Sequence, residues 1–282
     1  MRAIAEFAMR SRWHAIGTSM LAAILPLMGW LTTVIVALVS LRLGTSAGAI
    51  VLVWALLPVG VAMYFVGDPS PMIAMVGTFL MAVLLRQTLS WELVLIAAVC
   101  LAAIGAFIFE IGAAAILERF AAFYVEYLAQ IDSSLVMAPE QAQTILLGFF
   151  ALGQAFAMVL MLIIARWCQS ALYNPDGFGK EFRTLRLSPV VSSCLVAAML
   201  VCYLFNEALG RWLPLLTVPL VFAAIGLTHW VVKTKEMSGN WLAGFYISLA
   251  LLFQLIYPFL ASVALMDSWF NIRNRIQTIQ KD

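Results

Sequence analysis

The sequence predicts an all-α fold, a polytopic transmembrane helical bundle of about eight to nine membrane segments whose first segment is broken or re-entrant. Three observations predict it. Of the 282 residues 64% are hydrophobic and 11% charged, against about 25% charged in soluble domains, and the mean hydropathy is +1.02. The charges are clustered: Asp, Glu, Lys and Arg are missing from 13–41, 43–67, 69–85, 93–109, 141–165, 187–206, 212–232 and 237–266, windows of the order of the roughly 20 helical residues that a hydrocarbon core of about 30 Å requires. Short runs of alternating apolar and polar residues, the pattern of a membrane barrel, do not occur, so helices must satisfy the backbone hydrogen bonds in lipid.

The elements follow in order. The apolar run at 13–41 comes after Arg2, Arg10 and Arg12; it is too long for the core of a cleaved secretory signal and long for a single span. Pro26 and Gly29 near its middle predict a break there, because proline interrupts the helical hydrogen-bond ladder. Turn-forming or polar stretches at 67–71, 86–91, 131–143, 170–189 and 233–240 bound further spans near 47–66, 71–86, 91–114, 142–166, 189–207, 211–232 and 241–266. Between them, Phe120, Phe123, Tyr124, Tyr127 and Leu128 recur at helical spacing, with Glu118, Ala122 and Glu126 on another face. This predicts an aromatic-faced interfacial helix at about 116–130, with a lid over a binding cavity as the alternative. The whole chain, 1–282, reads as one membrane domain with a cytoplasmic loop at about 167–188.

Lysine and arginine near membrane ends prefer the cytoplasm. With 13–41 broken, Arg2, Arg10, Arg12, Arg42, Arg86, Arg166, Lys180, Arg183, Arg186, Lys233 and Lys235 all fall inside, and Arg119, Arg211, Arg273, Arg275 and Lys281 outside. An unbroken first span would divide the charges evenly. The N-terminus is therefore predicted cytoplasmic in a bacterial inner membrane, and the C-terminal Asn-Ile-Arg-Asn-Arg is left outside against its charge. Glu118, Glu126, Asp132 and Glu140 against Arg119 suit the outer side.

The net charge of +2 and the dispersal of the basic residues to helix ends give no basis for nucleic-acid binding. Cys100, Cys168, Cys194 and Cys202 show no CxxC spacing, and with only His14 and His229 beside them no metal site is predicted. H-E-x-x-H, the P-loop and a pair of intramembrane aspartates are missing from the sequence. The chain is predicted not to be an enzyme and to need no cofactor, and any ATP-driven cycle would require separate subunits.

The most distinctive polar segment is Leu172-Tyr173-Asn174-Pro175-Asp176-Gly177-Phe178-Gly179-Lys180-Glu181-Phe182-Arg183-Thr184-Leu185-Arg186. Asn-Pro and Asp-Gly predict a tight turn. The part from 180 to 187 predicts a short helix resting Phe182 and Leu185 on the membrane while Lys180, Arg183 and Arg186 meet anionic headgroups. This segment, with the C-terminal Met266-Asp267-Ser268-Trp269-Phe270-Asn271-Ile272-Arg273, resembles the YybS-like family of predicted bacterial membrane proteins, and the length and hydropathy profile extend the resemblance over nearly the whole chain. That family is distantly similar to the substrate-binding S-components of energy-coupling-factor transporters, which have fewer helices than are predicted here.

The resemblance implies a solute-binding transport component, with the lipid bilayer, a small-molecule solute and other membrane subunits as partners. Such a component needs polar groups converging at one depth. Gln154 and Gln254 sit near the middle of their spans, Glu110 in the outer third of its own and Tyr257 slightly outward of Gln254, so these four form the predicted ligand site, opening outward. Arg211 or Arg119 could pair with Glu110. By the same resemblance the small-residue stripe Ala15, Ser19 and Ala23 could dock a coupling subunit, with ordinary internal packing as the favoured alternative. The competing expectation is a non-catalytic scaffold that uses Tyr173, Asn174, Lys180, Arg183, Arg186, Asp267, Trp269 and Arg273 as partner or lipid contacts.

Overall fold

A computed structural model describes residues 1–131 and 137–279, and every regular element among them is a helix. In chain order these are α1 (Arg2–Ala8), α2 (Arg12–Ile24), α3 (Gly29–Leu43), α4 (Thr45–Val66), α5 (Ser70–Thr88), α6 (Trp91–Gly112), α7 (Ala114–Ile131), α8 (Pro139–Tyr173), α9 (Gly177–Thr184), α10 (Pro189–Leu204), α11 (Asn206–Leu209), α12 (Leu213–Leu216), α13 (Val218–Thr234), α14 (Asn240–Leu251), α15 (Phe253–Phe270) and α16 (Ile272–Ile279). Asp132 and Lys281 lie outside the described residues. Among the described residues six helical stretches are long and apolar enough to cross a bilayer: α4, α5, α6, α8, Asn206–Thr234 and α15. The pair α9 and α10, bent by 61°, makes a seventh if taken as one span, and α3 and α14 are shorter apolar helices. The chain is a multi-pass membrane protein. The larger number expected from sequence includes these two short helices, which stop below spanning length.

The first segment is broken as predicted. Thr32 donates its hydroxyl to the Ser19 carbonyl at 2.9 Å, whereas in one continuous helix residues this far apart would stand about 20 Å apart along the axis. The chain reverses at 25–28, where Leu27 takes a positive φ of 63°, and α2 folds back on α3. From Leu31 to Leu41 every side chain of α3 is buried. A helix that is apolar all round belongs at the centre of a bundle, and α3 packs against α2, α4, α5 and α8. Its approach to α4 is so close that a Cβ on Gly48 would collide with the Ser40 side chain.

One end of the bundle gathers basic side chains. The Leu41 carbonyl at the end of α3 accepts from Arg86 Nη1 at 2.6 Å and from Gln169 Nε2 at 3.2 Å, tying α3, α5 and α8 together. Arg42 lies over the Tyr173 ring at 4.2 Å, and Arg166 pairs with Glu181 and donates to Gln169. Because Arg166 is paired in this way, its charge does not end the helix: α8 runs on to Tyr173, although 167–173 was expected in the loop. At 35 residues α8 is about 50 Å long and stands well beyond the hydrocarbon core. The turn after it is as tight as Asn-Pro and Asp-Gly predict, with Asp176 at φ 63°.

The last part of the chain departs from the sequence reading. The predicted single span 241–266 is two helices meeting at Leu252, which leaves helical geometry at φ −115°, ψ 36°. On α14, Tyr246 hydrogen-bonds His229 in the last turns of α13 at 2.8 Å. On α15, Tyr257 shares a hydrogen bond with Thr217 at the head of α13. Farther along α15, Asp267 binds Arg273, whose guanidinium also donates to the Leu185 carbonyl; that carbonyl lies 3.4 Å from where a Cβ on Gly226 would stand. Thus α15 runs in the same direction as α13, after α14 has come back beside it. Pro258 removes the amide that would bond the Gln254 carbonyl and weakens the helix next to the reversal. The expectation that Arg273 and Arg275 lie at the opposite end from Arg183 is overturned. The C-terminal segment returns to the basic end, which agrees with its charge.

Candidate functional site

The structure does not bring the four predicted ligand-binding residues together. Glu110 pairs with Arg211 at 3.8 Å, and Arg211 also lies over the Trp212 and Phe107 rings at 4.8 and 5.6 Å. Gln154 is buried and reaches the Ser70 carbonyl at the start of α5 at 3.5 Å, while its Oε1 has no partner. Tyr257 spends its hydroxyl on Thr217, and Gln254 is exposed beside the Leu252 reversal. Helical geometry explains the dispersal. Gln154 turns to α5, while Phe156, two positions on and so on the opposite side of α8, meets Phe222 and Tyr257. Equal depth along a span therefore did not mean a shared cavity.

The small-residue stripe is likewise committed inward. Ala15 and Ser19 are buried where α2 meets α3 and α4, so they pack inside the bundle, the favoured reading of the stripe, and hold the hairpin closed.

The two polar segments proposed as partner contacts bind each other. Arg273, 7% exposed, donates to Asp267 Oδ2 at 2.9 Å and to the carbonyls of Arg183 and Leu185. Arg186 donates to the carbonyls of Asp267 and Ser268 at 3.0 and 2.8 Å. Burial lowers the guanidinium pKa of Arg273, and the Asp267 carboxylate opposes that shift. This network fastens α15 and α16 onto α9. Asp267, Arg273 and most of Arg186 are thereby used inside the fold, whereas Lys180 and Trp269 stay exposed. Tyr173 is held under Arg42, and Asn174 lies against the first turn of α9, where a Cβ on Gly177 would meet it. Glu92 at the head of α6 accepts from the Ser188 amide and hydroxyl at 2.8 and 2.7 Å, which anchors the start of α10 nearby.

A concave feature of ligand size lies elsewhere. A cleft of about 600 Å³ between α13 and α14 is lined by residues including Thr228, Val231, Trp241, Gly244, Phe245 and Ser248. A second groove of about 470 Å³ adjoins it, sharing Val232 and Met237, and carries Arg183, His229, Lys233 and Glu236. The walls are apolar because α14 turns Trp241, Phe245 and Ser248, a helical repeat, toward α13. The mouth is polar because α13 ends there in Lys233, and the chain must turn before α14 begins. None of the four predicted ligand residues lines either space. The sequence signal that could have found the cleft is the 241, 244, 245, 248 face of a short apolar helix next to a charged turn.

Among the described residues no group of three His, Cys, Asp or Glu side chains gathers as a metal site would require, and all four cysteines are free, with Cys168 and Cys202 buried. No family model, curated protein or solved structure matches the chain.

Proposed function

We propose that this chain is a non-catalytic, solute-binding transport component of the bacterial inner membrane, similar in role to an S-component, with its N-terminus and its basic end in the cytoplasm. The carrying observation is the cleft between α13 and α14, whose volume of about 600 Å³ lies in the range of small-molecule sites, roughly 300–1,000 Å³, and which joins apolar walls to a few polar groups. The solute site belongs there, and Glu110, Gln154 and Tyr257 serve as contacts between helices elsewhere in the bundle. The orientation follows from the positive-inside rule. Arg42, Arg86, Arg166, Arg183, Arg186 and Arg273 gather at one end through shared contacts, and the resemblance to the YybS-like family points to the same membrane.

The role of an S-component implies an ATP-driven cycle, and with no phosphate-binding loop in the sequence that cycle needs a separate energising subunit. Isolation from native membranes in mild detergent should yield a complex containing an ATP-hydrolysing partner, whose turnover changes when Gly244→Leu fills the cleft. Isolation of the chain without such a partner, or turnover indifferent to the substitution, removes the transport reading.

A further inference from the structure

We infer that the cleft between α13 and α14 holds one phospholipid carrying both a phosphate and a primary ammonium, a phosphatidylethanolamine. The inference rests on the reading of this cleft as the binding site and names its occupant.

Three observations support it. The cleft offers an acyl chain a mainly apolar wall: the α14 side of its lining runs from Trp241 to Ser248, roughly 10 Å along the helix. Gly244 sits in that wall with no atom within 4 Å of where its Cβ would stand. The space there is therefore not demanded by helix packing, in contrast with Gly48 against Ser40. Trp241 is 62% exposed at the mouth, the depth at which indoles anchor to lipid headgroups.

The mouth also carries charges of both signs with no assigned task. Among the described residues Lys233 and Glu236 have no side-chain partner, and Arg183 has only a 3.4 Å contact to the exposed Asp176. A phosphate diester suits the two cations Arg183 and Lys233, and an ammonium suits Glu236, all three of which line the adjoining groove. A purely anionic headgroup would leave the Glu236 carboxylate facing negative charge.

Glu236 is also held where a side chain is disfavoured. The amide of Met237 bonds the Val232 carbonyl at 2.9 Å and that of Glu236 the Lys233 carbonyl at 3.2 Å. This is the paired closure of a helix C-terminus, whose left-handed position normally takes glycine. Glu236 occupies it at φ 50°. A carboxylate at this strained position, at the mouth of a cleft, is explained by a ligand cation.

The test uses the full chain purified alone in mild detergent, with dioleoyl phosphatidylethanolamine, phosphatidylglycerol and phosphatidylcholine titrated in native mass spectrometry. Wild type should retain one phosphatidylethanolamine about tenfold more tightly than phosphatidylglycerol, the worth of one charge-assisted hydrogen bond. Glu236→Gly should abolish that preference while keeping the lipid. Arg183→Gln with Lys233→Gln should weaken all three lipids, and Gly244→Leu should remove the tight site. Equal retention of phosphatidylethanolamine and phosphatidylglycerol by wild type overturns the inference, as does a preference that survives both Glu236→Gly and Gly244→Leu. Because no energising subunit is present, tight lipid retention stands even if the transport reading fails.

Discussion

Arg273 Nε donates to Asp267 Oδ2 at 2.9 Å with both side chains buried, Asp267 at 2% exposure. The pair joins the last two helices to α9, and Asp267 Oδ1 has no partner of its own. Removing one member of a buried ion pair leaves an uncompensated charge and costs about 3–5 kcal/mol. Arg273→Met should therefore lower stability in detergent by about 3 kcal/mol, measured by thermal or denaturant unfolding. The double variant Asp267→Leu with Arg273→Met should recover much of the loss. Equal destabilisation of single and double variants would show that the packing of the arginine stem, rather than the ion pair, holds the segment.

Glu110 is 42% exposed and stands 3.8 Å from Arg211. Exposed pairs contribute less than about 1 kcal/mol, so Glu110→Gln should barely alter stability and should leave lipid retention at the cleft unchanged. Arg211→Met should cost more, about 1–2 kcal/mol, because the guanidinium also rests on Phe107 and Trp212. Loss of ligand retention in Glu110→Gln would return Glu110 to the site.

Glu236 should be a position where function opposes stability. A non-glycine residue in the left-handed region costs about 1 kcal/mol, so Glu236→Gly should raise unfolding stability by about that amount. A fall in stability would show that the carboxylate has a structural task.

Topology can be read by cysteine labelling in a background with the four native cysteines replaced. Thr45 follows α3, Arg275 lies in α16 at the basic end, and Glu140 opens α8 at the opposite end; all three are exposed. Cysteines at Thr45 and Arg275 should label from one side of sealed vesicles and a cysteine at Glu140 from the other. Opposite labelling of Thr45 and Arg275 would reject the return of the C-terminus.

The middle helices were legible in the sequence because charges and turn formers mark both ends of each. The 47–66 prediction became Thr45–Val66, and 71–86 became Ser70–Thr88. The break in 13–41 was legible through Pro26 and Gly29. The reversal at Leu252 was not, since no glycine, proline or charge stands at the turn and both arms are apolar. The separation of the four candidate site residues has a related reason. In a membrane protein the lipid-facing and core-facing sides of a helix are both apolar, so periodicity does not say which way Gln154 or Gln254 looks. The burial of Gln154 and the exposure of Gln254 depend on which helices stand beside them. The groups at the cleft mouth, Lys233 and Glu236, looked like ordinary turn residues because only the packing of α14 on α13 encloses the space between them.

The hairpin of α2 and α3 has a consequence for how the protein is made. At 13 and 15 residues the two helices are about 20 Å long, too short to cross a core of about 30 Å one at a time. The pair is therefore expected to settle in the membrane only once α4, the first helix of spanning length and a packing partner of both, has joined it.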